Sequence, residues 1–193
     1  MKGIKLLALS VFSASFLSFT PINKKYIVID AGHGGNDMGS VFDNFSEKEI
    51  TINIAKEIQK LNENQDQYEI VLTRDSDTSP TLQERTAIIN RLNPEMVISL
   101  HMNSSPHKET PKQGAEVYIQ NTDGSKKLAE KISRKFNVAK IEERNLHMLR
   151  ETKAPAVLVE LGFINNTKDR EYVTSENGQK EIAQKFTEII REY

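Results

Sequence analysis

The sequence predicts an α/β fold: one domain built on a single twisted, mostly parallel sheet with helices on both faces. Three observations predict it. Short apolar runs bounded by glycine or polar residues, at 26–30, 96–100 and 156–159, read as buried strands. Stretches with apolar residues at helical spacing lie between them, and strands that alternate with helices pack as a largely parallel sheet. The 193 residues show no internal repeat, low-complexity segment or linker, and that length suits one domain with a real core.

The N-terminus stands apart. Lys2 and Lys5 lead into an apolar run over 6–19 that is too short to span a bilayer comfortably. Residues 1–20 read as a signal peptide, which implies an exported protein of the periplasm or cell envelope, with no stable membrane span. No small-x-small site precedes Thr20 or Pro21, so the cleavage point is not placed, and an uncleaved anchor is the alternative.

The first strand, 26–30, runs into Ala31-Gly32-His33-Gly34-Gly35, where glycines surround one histidine and let the backbone turn tightly. Ser46-Glu47-Lys48-Glu49 reads as a capping box, with Ser46 as N-cap and Glu49 reaching back. The helix behind it carries Ile50, Ile54, Ile58 and Leu61 on one face and ends near 62–64. Glu47, at its first position, has no capping duty. Residues 68–73 form the next strand. Thr81-Leu82-Gln83-Glu84 is a second capping box, opening a helix to about Leu92. The third strand, 96–100, ends at His101. Residues 115–120 are a strand, 126–136 a helix, and 156–159 a strand ending at Glu160. A helix over 180–191, with Ile182, Phe186 and Ile190 at helical spacing, closes the chain.

Composition narrows the chemistry. Net charge is -1, which gives no general pull toward nucleic acid, and none is expected as a partner. There are no cysteines, so a metal must be held by His, Asp or Glu. Strand ends at His33, His101 and Glu160, with Glu47 at the start of a helix, gather on one edge of a parallel sheet, where ligands of such sheets bind. His, Glu and His form a three-ligand set of the kind that catalytic zinc uses, leaving a fourth position to water. Zinc would lower the pKa of that water to about 7 and polarise a carbonyl. Glu160 would then serve as general base and return the proton to the leaving nitrogen, its apolar neighbours favouring a raised pKa.

Four motifs carry a resemblance. They are 29–35, Glu47-Lys48, Ser99-Leu100-His101-Met102-Asn103-Ser104, and Leu158-Val159-Glu160-Leu161-Gly162-Phe163-Ile164-Asn165-Asn166. Together they resemble the zinc-dependent N-acetylmuramoyl-L-alanine amidases. The match runs from about Lys25 to the C-terminus and implies that 25–193 is a zinc amidase catalytic domain. It places the metal ligands for one Zn2+ ion on His33, Glu47 and His101, and the catalytic glutamate on Glu160. The implied reaction is hydrolysis of the amide between N-acetylmuramic acid and L-alanine in peptidoglycan. Ala31 stands where the family usually has proline, and Met102 where alanine is common; neither is a ligand.

Some relatives carry a long insert whose helix plugs the zinc site, and 120–146 has little room for one. The expected form is a monomer whose peptidoglycan substrate is its main partner, with any activator protein unidentified. Two other readings stay open here: a metal enzyme acting on a peptide bond or a sugar acetamide, and a non-catalytic wall-binding module. His107 and His147 read as surface residues, with the cleft as the alternative for His147. The basic residues at 126–135 read as a solvated face, with contact to anionic wall polymer as the alternative. Asp75 and Asp77 read either as pairing near Arg74 or as a loop turn, and Asn103 as holding either a ligand or its own loop.

Overall fold

The computed structural model describes residues 24–193, and the segment read as a signal peptide lies outside the described residues. In chain order the elements are β1 (Lys25–Ala31), the two-residue strands β2 (Val41–Phe42) and β3 (Phe45–Ser46), α1 (Glu47–Leu61), β4 (Tyr68–Leu72), α2 (Leu82–Leu92), β5 (Met96–Asn103), β6 (Ala115–Ile119), α3 (Asp123–Lys135), β7 (Val138–Glu143), α4 (His147–Glu151), β8 (Ala156–Phe163), α5 (Thr167–Thr174) and α6 (Glu176–Glu192).

Six strands pair in the order β4-β1-β5-β8-β6-β7. Among the described residues, the one antiparallel pairing within this sheet is β6 against β8. The chain leaves β1 for β4 on one side and returns to β5 on the other. The β1–β5 boundary is therefore the place where connections diverge and a crevice opens at the strand ends.

Side chains alternate between the two faces of each strand. On one face Ile27, Ile29, Leu100, Val117 and Val159 pack against α1, α3 and α6 through Ile54, Ile58, Leu128, Ile132 and Phe186. On the other, Val28, Val97, Ala156 and Leu158 meet Ile89 of α2 and Met148 and Leu149 of α4. Further along the strands this second face turns polar: Val28 gives way to Asp30, Val97 to Ser99 and His101, and Leu158 to Glu160. Asp30 marks the change. It is 2% exposed and accepts hydrogen bonds from Thr73 Oγ1 (2.6 Å), Arg85 Nη1 (2.7 Å) and Ser99 Oγ (2.6 Å). Burial pushes its pKa up, but the Arg85 charge and the three donors outweigh that and hold it below the ordinary value.

The second capping box forms as expected. Thr81 Oγ1 accepts from the Glu84 amide at 3.2 Å, and Glu84 Oε2 accepts from the Thr81 amide at 2.7 Å. The first does not. Ser46 is the N-cap of α1, but its side chain makes no capping bond and its Oγ donates to Glu49 Oε2 at 2.9 Å. The β2–β3 ribbon delivers the chain to α1 instead, with the Glu47 amide donating to Ser40 O at 2.9 Å. Leu61, expected on the core face, is 38% exposed; the buried stripe is Ile50, Ile54, Ile58 with Thr51 and Ala55. β5 and β8 do not stop at His101 and Glu160 but run on to Asn103 and Phe163, with an irregularity in register after His101. The helix expected over 126–136 begins earlier, at Asp123, where Thr122 caps it by accepting from the Ser125 amide. Among the described residues no helix is long and apolar enough to cross a membrane.

Candidate metal centre and cleft

His33 leaves the end of β1 in a left-handed conformation, φ 60°. Such a φ is uncommon for a residue with a side chain and is held by its surroundings. Arg74 donates to Ala31 O (3.0 Å) and Gly32 O (2.9 Å), Arg85 donates to His33 O, and the Gly32 amide donates to Leu100 O (3.0 Å). The imidazole is fixed in turn by Asp37, whose Oδ2 lies 2.8 Å from Nδ1, leaving Nε2 to face inward.

Glu47 is 2% exposed at the start of α1. Its Oε1 lies 3.0 Å from His33 Nε2 and 2.9 Å from His101 Nδ1, and accepts from the Met102 amide at 2.9 Å. Its Oε2 accepts from the Ser40 amide at 2.8 Å. One ligand atom from each of His33, Glu47 and His101 falls within 4.8 Å of the others. Burial alone would push the Glu47 pKa up, but hydrogen bonds and charge from His101 and His33 drive it far below the ordinary value. The Glu47 hydrogen bond raises His33 to about 9.

The donor set suits a small dication. Ligands about 2.0–2.1 Å from a tetrahedral zinc stand roughly 3.3 Å apart, a slight opening of the distances seen. Two glycines make the approach feasible. A Cβ on Gly32 would sit 2.5 Å from His101 Cε1, and one on Gly39 (φ +64°) 2.6 Å from Glu47 Oε2 and 2.7 Å from His33 Cδ2.

Glu160 lies beside this group, in register with His101 on β5 and with Glu116 on β6. Its Oε2 is buried without a hydrogen-bond partner among the described residues. Burial pushes its pKa up to about 7, with Glu47 and Glu116 adding to the rise against the opposing imidazoles. The anticipated raised carboxyl is thus present, and desolvation is its main cause. Glu116 is itself tied: its Oε2 accepts from Asn103 Nδ2 (2.9 Å) and Tyr118 Oη (2.7 Å). Asn103 therefore orders its loop and Glu116, with its Oδ1 accepting from the Ser104 amide.

A cavity of about 430 Å³ opens over the polar half of the sheet face, between His33, Ser99 and His101 and a wall of Leu82, Leu146 and His147. A larger, shallower depression of about 610 Å³ lies beside it along α2 and contains none of the four expected residues. His107 is exposed, whereas His147 is half-buried and borders the cavity. Asp77 does not pair with Arg74 but accepts from Lys48 Nζ (2.9 Å) and the Gly35 amide (2.8 Å). On α3, Lys126 and Lys135 make surface ion pairs with Glu143 and Glu188, in keeping with a solvated face.

All four expected residues are brought together. Asp37, Glu116 and Tyr118, which complete the surroundings, were not anticipated. Asp37 stands four residues from His33 across a bridge between Gly34 and Asp37, and a carboxylate at that spacing was the available signal.

Comparison with known proteins accords with this geometry. The family model described as N-acetylmuramoyl-L-alanine amidase matches residues 27–192. The chain is 33% identical over 182 residues to the probable cell wall amidase LytH of Staphylococcus saprophyticus, covering 90% of this chain and 60% of that protein. The chain thus spans a little under two thirds of that relative. The catalytic domain of CwlV, an N-acetylmuramoyl-L-alanine amidase from Bacillus (Paenibacillus) polymyxa, superposes with a TM-score of 0.82 at 32% identity, over 88% of this chain and 97% of that one. The CwlD amidase of Clostridioides difficile, solved in complex with the GerS lipoprotein, superposes with a TM-score of 0.80 at 28% identity, over 88% and 98%.

Proposed function

The chain belongs to the N-acetylmuramoyl-L-alanine amidase family, and on that premise we propose that it hydrolyses the amide joining the lactyl group of N-acetylmuramic acid to L-alanine in peptidoglycan. The observation that carries the proposal is the convergence of His33, Glu47 and His101 beside a buried, partnerless carboxyl oxygen of Glu160.

His33, Glu47 and His101 would hold one zinc ion. When bound, the ion supplies Lewis acidity to the scissile carbonyl and acidifies the attacking water. The rest is done by side chains of this chain. Asp37 orients the His33 ring, and the Ser40 and Met102 amides fix the Glu47 carboxylate, so the receptacle is built before any ion enters. Glu160 takes a proton from water as its oxygen attacks the carbonyl carbon. It returns that proton to the alanine nitrogen as the C–N bond breaks, leaving a lactyl carboxylate and a free amine. A carboxyl near neutrality suits both transfers.

The proposal extends to the setting. The basic and apolar 1–20 segment supports export to the periplasm or cell envelope, and all four residues come from one chain, which supports action as a monomer. The clostridial relative forms a complex with a lipoprotein, so an envelope accessory protein is a partner class for this chain. Activity is not expected to depend on it, because the helix within 120–146 packs on the sheet face away from the cleft.

Digestion of purified peptidoglycan with and without chelator tests the reading. Stem peptides with free N-terminal L-alanine, released only in the metal-loaded reaction, are expected. New reducing sugar ends, or no released peptide, would overturn it.

A further inference from the structure

One imidazole at the cleft has no part in that chemistry. His147 begins α4 and borders the same cavity as His33 and His101. Its Nε2 is buried and meets no hydrogen-bond partner among the described residues. On the other side of the ring, Arg150 Nη2 stands 3.5 Å from Nδ1. A guanidinium can only donate, so Nδ1 is the acceptor in that contact and the neutral ring carries its proton on Nε2. His147 therefore holds a buried donor in a stretch of the cavity lining that runs through the apolar Leu146 and Met148.

The helix that carries the ring is tied to the core and to its neighbours. Arg150 is itself held, with Nε donating to Glu151 Oε1 (2.8 Å) and Nη1 to Asn145 Oδ1 (3.0 Å). Met148 and Leu149 anchor α4 in the core beneath, and Asn90 Nδ2 donates to Glu151 O at 2.7 Å. A buried donor without an acceptor is unfavourable and rare, and a side chain fixed in that condition at a ligand cavity is suited to an acceptor arriving with the ligand.

We propose that His147 is a substrate contact of the cleft, its Nε2–H donating to an amide carbonyl oxygen of the muropeptide. This rests on the amidase reading. Two parts of such a substrate offer that oxygen: the acetamido group of the muramic acid and the backbone of the stem peptide.

The test uses the metal-loaded chain with a soluble muropeptide and its de-N-acetylated counterpart. His147→Leu removes the donor, and His147→Gln keeps an N–H at similar reach. Loss of the bond should lower kcat/KM roughly ten- to a hundredfold, chiefly through KM, with partial recovery in H147Q. If the acetamido oxygen is the acceptor, the H147L penalty vanishes on the de-N-acetylated substrate; if a peptide carbonyl is, it persists on both. The independent readout is ¹⁵N NMR of the Nε2 resonance in the chain carrying Glu160→Gln, titrated with the intact muropeptide, where a shift on binding is expected. An unmoved Nε2 resonance together with wild-type KM in H147L would overturn the proposal while leaving the amidase reading intact. Failure of the wild-type chain to cleave the muropeptide would be failure of the amidase reading itself.

Discussion

Glu116 and Glu160 face each other on adjacent strands, the first with an oxygen held by Asn103 and Tyr118, the second with a buried oxygen that none of the described residues holds. Glu116 is fixed by its two donors, whereas Glu160 keeps a buried oxygen open, as the proposed proton transfers require.

Glu160→Gln should leave metal content unchanged and lower kcat by about 10²- to 10⁴-fold, the range for loss of a general acid–base group. Metal analysis alongside muropeptide turnover checks this. A variant with wild-type rate would remove Glu160 from the chemistry.

Glu116→Gln should move the acid limb of the kcat/KM profile to lower pH. Burial is the main reason that Glu160 titrates near 7, and the Glu116 charge adds to it. Without that charge the carboxyl ionises more readily, and the active, deprotonated form persists into more acid solution. A bound dication lowers the whole limb in both proteins without changing the direction of the difference.

The metal-free protein should lose stability as pH rises from about 6.5 to about 9. The Glu47 hydrogen bond raises the folded-state pKa of His33 from 6.5 to about 9, so its contribution is fully present below the lower value and gone above the upper one. The contribution is on the order of 2 kcal/mol, discounted for the part of the ring that meets solvent. Denaturant titrations across this window should show the slope in the metal-free wild type and a flatter profile in His33→Ala.

Gly39→Ala should weaken zinc binding at least tenfold by calorimetry. The new Cβ would lie within 2.8 Å of Glu47 and His33 atoms, at a backbone φ of +64° that alanine adopts poorly. Tight binding in this variant would mean that the cradle yields easily.

Asp30→Ala should destabilise the fold by about 3–5 kcal/mol, because it leaves the Arg85 guanidinium buried without its carboxylate. Thermal unfolding reads this directly, and a loss below about 1 kcal/mol would show that water reaches Arg85 readily.

Much of the site was legible because His33, Glu47, His101 and Glu160 sit at punctuation points. Each follows a strong apolar run or opens a helix, and parallel strands carry such points to one edge. What escaped depends on pairing rather than on local pattern. Glu116 and Tyr118 acquire their meaning only from the antiparallel register of β6 on β8, which no single strand records. β7 was missed because Val138–Glu143 is a largely exposed edge strand with no apolar run. α4 and α5 are too short to show helical periodicity. The Ser46 capping box failed because the tight β2–β3 ribbon turns the Glu47 carboxylate inward, leaving Ser46 to bond Glu49 by side chain alone.

The sheet's two faces are unequal. One is apolar along its length beneath α1, α3 and α6, while the other becomes polar halfway up its strands. Tolerance to change should follow that division. Cleft positions outside the buried Asp30–Arg85–Ser99 cluster and the metal-centre residues can drift, or be randomised in a library seeking new wall chemotypes, without threatening the body that keeps the chain folded. Adaptation to a new cross-linked polymer would then begin at the polar ends of β6 and β8 and at α4, long before the helical layer behind them is touched.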